Sequence, residues 1–110
     1  MITGRNQKSE ASRVDRTELL KRLAGASRSE ALQAAVDASR SDDVRLVGPV
    51  LRQLKHGRRP FHREVAAYLL GFLGHRRVIP ALERTLANRH ENPKVRGQAA
   101  EALAYLVLLC

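Results

Sequence analysis

The sequence predicts an all-α chain whose helices stack in pairs as a solenoid. Three observations carry that prediction. Leu and Ala dominate; apolar residues make up 44% and aromatic residues only 4%, with no Trp, a composition that favours helices. No segment alternates apolar and polar residues long enough to argue for a strand. The chain also repeats itself: "REVAAYLLGFL" from Arg63 returns as "RGQAAEALAYL" from Arg96, 33 residues later. The doublet Ala-Ala falls at 34–35, 66–67 and 99–100. A period in this range marks a stacked array, because one helix pair cannot bury its apolar stripe alone.

Start and stop signals divide the chain into six helices. Residues 1–13 are polar and charged with almost nothing to bury, and are expected to be a disordered tail. Residues 14–110 are expected to form one domain. A capping helix over 14–25 opens with Asp15 and Glu18 at capping-box spacing and stops at Gly25. The first repeat, 27–57, begins with Ser27 as cap and Glu30 three residues on. Its second helix has Ser41 or Asp42 as cap and Gly57 as stop, and Pro49 inside it predicts a kink or a late start. The second repeat, 60–89, has Pro60 in a first turn, Gly74 as a stop, and Pro80 early in its second helix. A partial third repeat, 92–110, starts at Asn92 and Pro93. One continuous core is expected from Leu51, Leu54, Leu69, Leu70, Leu73, Leu82, Leu86 and Leu103. Tyr68, Phe72 and Tyr105 are expected to be buried on first helices.

Composition narrows the function classes. No segment approaches the ~18 unbroken apolar residues of a membrane span, so no membrane partner is expected. "MITGRNQKSEASR" lacks the apolar stretch of a secretory signal. Cys110 stands alone, which excludes an intrachain disulfide framework and places the chain in the cytoplasm. Net charge is +9. Residues 1–45 carry nine Lys/Arg against seven Asp/Glu, and residues 46–110 carry eleven against four, so the repeating part is the basic part. Such charge draws nucleic acid, anionic membrane or an acidic protein surface, and taken alone it need do no more than keep a chain soluble.

The stretches "NPKVRGQAAEAL" and "LGHRRVIPALERTL" resemble the short bacterial HEAT-like repeat of the type named after the phycobilisome lyases. That repeat runs from an acidic or Asn turn through Val-Arg, Ala-Ala and Leu-Gly to Ile-Pro-Ala-Leu. The resemblance is strongest over 61–106 and weaker over 27–57, where Ser39 to Asp43 replace the Leu-Gly turn. It implies an α-solenoid of about two and a half helix pairs, with first helices on the convex side and second helices on the concave side. It also implies a structural role for Arg63 and Arg96, which hold the Val-Arg position. Such arrays mostly bind proteins, and sharing a repeat transfers no lyase activity.

The arginines are the candidate site. In "VRLVGPVLRQLKH" the apolar stripe is Val44, Val47, Leu51 and Leu54, with Arg45 and Arg52 on the opposite stripe. In "RRVIPALERTLAN" the stripe is Val78, Ile79, Leu82 and Leu86, with Arg77 and Arg84 opposite. A shift of 32 residues lays Arg45 on Arg77 and Arg52 on Arg84. On neighbouring second helices, about 10 Å apart, these four are expected to form one partner-binding patch. Lys55, Arg58, Arg59, Arg89 and Lys94 form a secondary basic edge in the turns between repeats. His56, His62, His75 and His90 read as charged turn residues with no ligand spacing, so no metal is expected. No catalytic motif appears and no cofactor is expected. The final helix carries Leu106 and Leu109 with no following helix to cover them, which predicts self-association into a homodimer. The reading that results is a non-catalytic scaffold that grips an acidic or extended protein partner on a basic concave face. Nucleic-acid backbone binding through the same face is the alternative, and a lyase-like enzyme accessory the third.

Overall fold

A computed structural model describes residues 16–109, and of Leu109 the backbone only. The expected tail, the Asp15 cap, the Leu109 side chain and Cys110 lie outside the described residues. Within them are six helices and no strand: α1 (16–23), α2 (Arg28–Ser39), α3 (Val47–His56), α4 (Pro60–Leu73), α5 (Ile79–Ala87) and α6 (Pro93–Leu109). The starts follow the local chemistry. Ser27 Oγ accepts the Glu30 N–H at 3.3 Å, and Asn92 Oδ1 accepts the Lys94 N–H at 2.9 Å. Pro60 and Pro93 sit first in their helices, where the missing N–H costs no bond.

Pro49 delays α3 rather than kinking it. A 3₁₀ turn, Val44–Leu46, comes first, and Pro49 falls in the opening turn of α3, where backbone N–H groups have no intrahelical acceptor. The same device precedes α5 as Arg76–Val78. The two turns match at an offset of 32. Asp42 has φ 52° and Gly74 has φ 65°, both left-handed. Asp43 and His75 follow as caps, accepting the N–H groups of Arg45 and Arg77. The Ser39–Asp43 stretch therefore keeps the turn of the second repeat, with an aspartate in place of glycine, a residue that tolerates the left-handed region. The cap is Asp43, not Ser41 or Asp42 as expected.

The helices form two layers. α2, α4 and α6 make the first; α1, α3 and α5 make the second. α4 is central, packed on α2, α3 and α6, and α5 packs on α6. Leu23, Leu46, Leu69, Leu70, Leu82 and Leu106 are fully buried in one core that also holds Leu54 and Leu73. Leu51 and Leu103 pack against it half-buried. Gly71 sets the spacing of the first layer: a Cβ there would lie 2.9 Å from the Ala102 Cβ, so α6 rests almost on the α4 backbone.

Several expectations change. Val44 is 63% exposed, because the 3₁₀ turn before α3 turns it outward and brings Leu46 inward instead, and Leu86, in the last turn of α5, is 36% exposed. Leu106 is fully buried, since α6 folds its 95, 99, 102 and 106 positions onto α4 and α5. It belongs to the core and cannot join two copies. His62 is also buried rather than a charged turn residue. Its Nε2 lies 2.7 Å from the Gly25 carbonyl, and its Nδ1 takes a long 3.4 Å bond from the Arg59 N–H. Gln53 Nε2 donates to the Leu23 and His62 carbonyls, each at 2.9 Å. These two side chains satisfy carbonyls that the end of α1 leaves without helical donors. Arg63 and Arg96 hold the stack as the resemblance implied. Arg63 Nη1 donates to the Gly57 carbonyl after α3, and Arg96 Nε to the Leu86 carbonyl at the end of α5.

Candidate partner-binding groove

A groove of about 580 Å³ runs between α3 and α5. Leu51, Leu54, Pro80 and Ala81 supply its apolar surface. Arg52, Lys55 and His56 reach it from α3, Arg77 from the turn before α5, and Arg84 from α5. Arg52, Lys55, Arg77 and Arg84 make no ion pair among the described residues. Their positive charge is therefore not cancelled locally. The one carboxylate in the lining, Glu91, is committed elsewhere: Arg63 grips it with two bonds, Nε to Oε2 at 2.9 Å and Nη2 to Oε1 at 3.0 Å. The guanidinium bonds, then the Asn92 N–H and the nearby positive charge, hold the Glu91 carboxyl below the ordinary glutamate range, against the opposing effect of burial.

Three of the four expected arginines meet in this groove, and Arg45 does not. Arg45 turns back on its own cap, with Nε 2.9 Å from Asp43 Oδ1 and Nη2 3.1 Å from Oδ2. Bonding from Arg45 holds the Asp43 carboxyl below its usual range. Arg77 occupies the same place one repeat later, but its cap is His75, which gives no carboxylate to pair with. One cap residue thus decides which arginine is free. Arg45 instead lines a neighbouring furrow between α1 and α3, with Arg16, Lys21 and Pro49.

The basic edge divides as well. Lys55 points into the groove, one helical turn from Arg52, a spacing that was readable in the sequence. Arg58, Arg59, Arg89 and Lys94 stay exposed in the turns and at the start of α6. Sequence reasoning missed Arg16 and Lys21, since nothing in the repeat pattern marks α1 as a neighbour of α3. The aromatic residues also differ from expectation. Phe72 and Tyr105 are 43% and 41% exposed, and Tyr68 is half-buried. Their rings make a chain with centroids 4.9 and 5.1 Å apart on α4 and α6, in the layer away from the groove.

Helix pairs repeating at 32–33 residues, with arginines tying each pair to the last, point to one kind of array. The family pattern for HEAT repeats matches residues 47–106, more than half of the chain. The chain belongs to the HEAT-repeat family. HEAT repeats are generally protein-interaction scaffolds. The matched span contains both walls of the groove and the Arg63 and Arg96 ties. No curated protein matches the chain significantly. None of the described helices is long and apolar enough to cross a membrane.

Proposed function

We propose that this HEAT array is a non-catalytic interaction module that holds an acidic segment of a protein partner in the α3–α5 groove. One observation carries the reading: Arg52, Lys55, Arg77 and Arg84 converge on an apolar-floored groove and, among the described residues, none of them has a carboxylate partner, the Glu91 of the lining being held by Arg63. Guanidinium groups pair with carboxylates in a bidentate fork, and the Leu51, Leu54 and Ala81 surface takes apolar side chains between the acidic ones. Within the family we place the chain with the short bacterial repeats named for phycobilisome lyases, on the "NPKVRGQAAEAL" and "LGHRRVIPALERTL" motifs. We place the chain in the cytoplasm, on the single cysteine.

A nucleic-acid backbone is the second reading, because phosphates need only the same cations. The aromatic chain Tyr68–Phe72–Tyr105 lies in the other layer, so in the groove's lining only the His56 imidazole offers a ring to stack on a base. Fluorescence anisotropy with a labelled Glu- and Leu-containing peptide and with labelled mixed-sequence duplex DNA separates the two. The proposal expects the peptide to bind and to compete off any weak DNA signal. DNA binding that the peptide cannot displace favours the second reading. No peptide binding at low salt contradicts the first.

A further inference from the structure

Among the described residues α6 is the last first-layer helix, and its outer flank is not covered by any of them. The 33-residue offset aligns Ala100, Leu103 and Ala104 with Ala67, Leu70 and Gly71. On α4 those three positions are buried, and Gly71 lies directly against Ala102 of α6. On α6 the counterparts are half-buried at Ala100 and Leu103 and exposed at Ala104. On the same flank, nothing lies within 4 Å of where a Cβ on Gly97 would stand. Further along, Val107 is 69% and Leu108 84% exposed. Leu86, exposed on α5, adjoins this flank through the bond from Arg96 to its carbonyl. The chain thus shows on α4 what such a flank takes: a helix whose small residues let it approach nearly to backbone contact.

We propose that this flank pairs with the same flank of a second copy, the two α6 helices running antiparallel about a two-fold axis. Three features select a second copy in this arrangement. The opposite end of the stack is polar: α2 presents Glu30, Gln33 and Asp37 there, with Asp37 bonded by Gln33 and Arg22. A head-to-tail contact would leave the small-residue flank of α6 against those polar groups, whereas an isologous one lays the Gly97–Ala100–Ala104 flank of each copy on that of the other. An axis near Ala100 sets Gly97 against the partner's Ala104, repeating the glycine-on-alanine approach of Gly71 and Ala102. Antiparallel pairing also brings Lys94, at the start of each α6, beside the C-terminal turn of the other, where the helix dipole favours a cation.

The two surfaces respond oppositely to salt. Each copy carries +9, so screening should strengthen pairing while weakening any acidic ligand in the groove. Sedimentation equilibrium of the 110-residue chain at about 100 μM tests the proposal. The expected mass is twice the 12.3 kDa of one chain, rising toward that limit as salt is added. Gly97→Glu with Ala104→Glu sets like charges face to face across the axis and should return the mass to one chain, with helical circular dichroism unchanged because both positions are exposed. With Cys110→Ser as background, Ala100→Cys should form a disulfide-linked dimer and Gln33→Cys should not. A single-chain mass for the unmodified protein at that concentration overturns the proposal. So does a dimer that survives the double glutamate change, or one that crosslinks through position 33.

Discussion

Replacing Gly71 by Ala tests whether the first layer is drawn together as closely as described. Helix propensity alone predicts a gain of about 0.5–1 kcal/mol, because glycine loses more backbone freedom than alanine on entering a helix. The packing predicts a loss. The new methyl carbon would lie 2.9 Å from the Ala102 Cβ and 3.0 Å from its Cα. Ordinary carbon contacts are about 3.5–4.0 Å, and one of these two neighbours is backbone that no rotamer change moves. α4 and α6 must part by roughly half an ångström or more, and overpacking of this kind costs about 1–3 kcal/mol. The net expectation is a loss of about 0.5–2 kcal/mol. Gly97→Ala is the control: the same change in α6 meets nothing within 4 Å and should gain about 0.5–1 kcal/mol. Urea denaturation at low micromolar protein, with unchanged m-values, measures both. If Gly71→Ala stabilises the protein as Gly97→Ala does, the described α4–α6 approach is wrong.

Three further substitutions probe other parts of the account. Glu91 has its carboxyl held below the ordinary 4.5, so the folded chain binds that proton less tightly than the unfolded chain. Its stabilisation is complete above the ordinary value and fades as pH falls through the lowered one. Glu91→Gln should therefore cost about 1.5–3 kcal/mol at neutral pH and converge with the parent in acid; a constant difference down to about pH 2 would contradict the Arg63 pairing. His62→Ala leaves the Gly25 carbonyl without its 2.7 Å partner and should lower stability by about 1–3 kcal/mol in urea melts; a loss under about half a kcal/mol would show that this tie carries nothing. Leu106→Lys places a charge in the core and should abolish cooperative unfolding by circular dichroism; a normally folded variant would contradict the burial of Leu106.

The architecture was legible because it is written in periodic signals. The Ala-Ala doublets, the capping Ser27 and Asn92, and the prolines all fall where helices begin or cross. Less legible were positions decided by the rotation of a helix about its axis. The 3₁₀ turn before α3 shifts the buried face, so Leu46 goes in while Val44 stays out. A stripe counted from an assumed helix start does not contain that shift. Leu106 illustrates the same point: its apolar neighbours Val107 and Leu108 look alike in sequence, yet only Leu106 continues the 95, 99 and 102 face. In the groove, Arg52, Arg77 and Arg84 followed from the repeat offset. Arg45 did not, because its fate depends on a cap two residues away and not on its place in the repeat. His62 was invisible for another reason. Its partner, the Gly25 carbonyl, is 37 residues distant in the chain, and no local pattern marks it.

The most direct test of the groove is charge reversal at Arg52 and Arg84. Both side chains are exposed and make no ion pair among the described residues, so Arg52→Glu with Arg84→Glu should leave stability within about 0.5 kcal/mol of the parent. Two charge-assisted contacts worth about 1.5–3 kcal/mol each imply at least a hundredfold loss of affinity for an acidic peptide. Arg58→Glu with Arg59→Glu makes the same net charge change on the edge and should weaken binding far less. Isothermal titration of the three proteins with one labelled acidic peptide gives the comparison. A hundredfold loss confined to the Arg52/Arg84 variant is the predicted result. Equal affinity in that variant, or an equal loss in the edge variant, would contradict a partner site between α3 and α5.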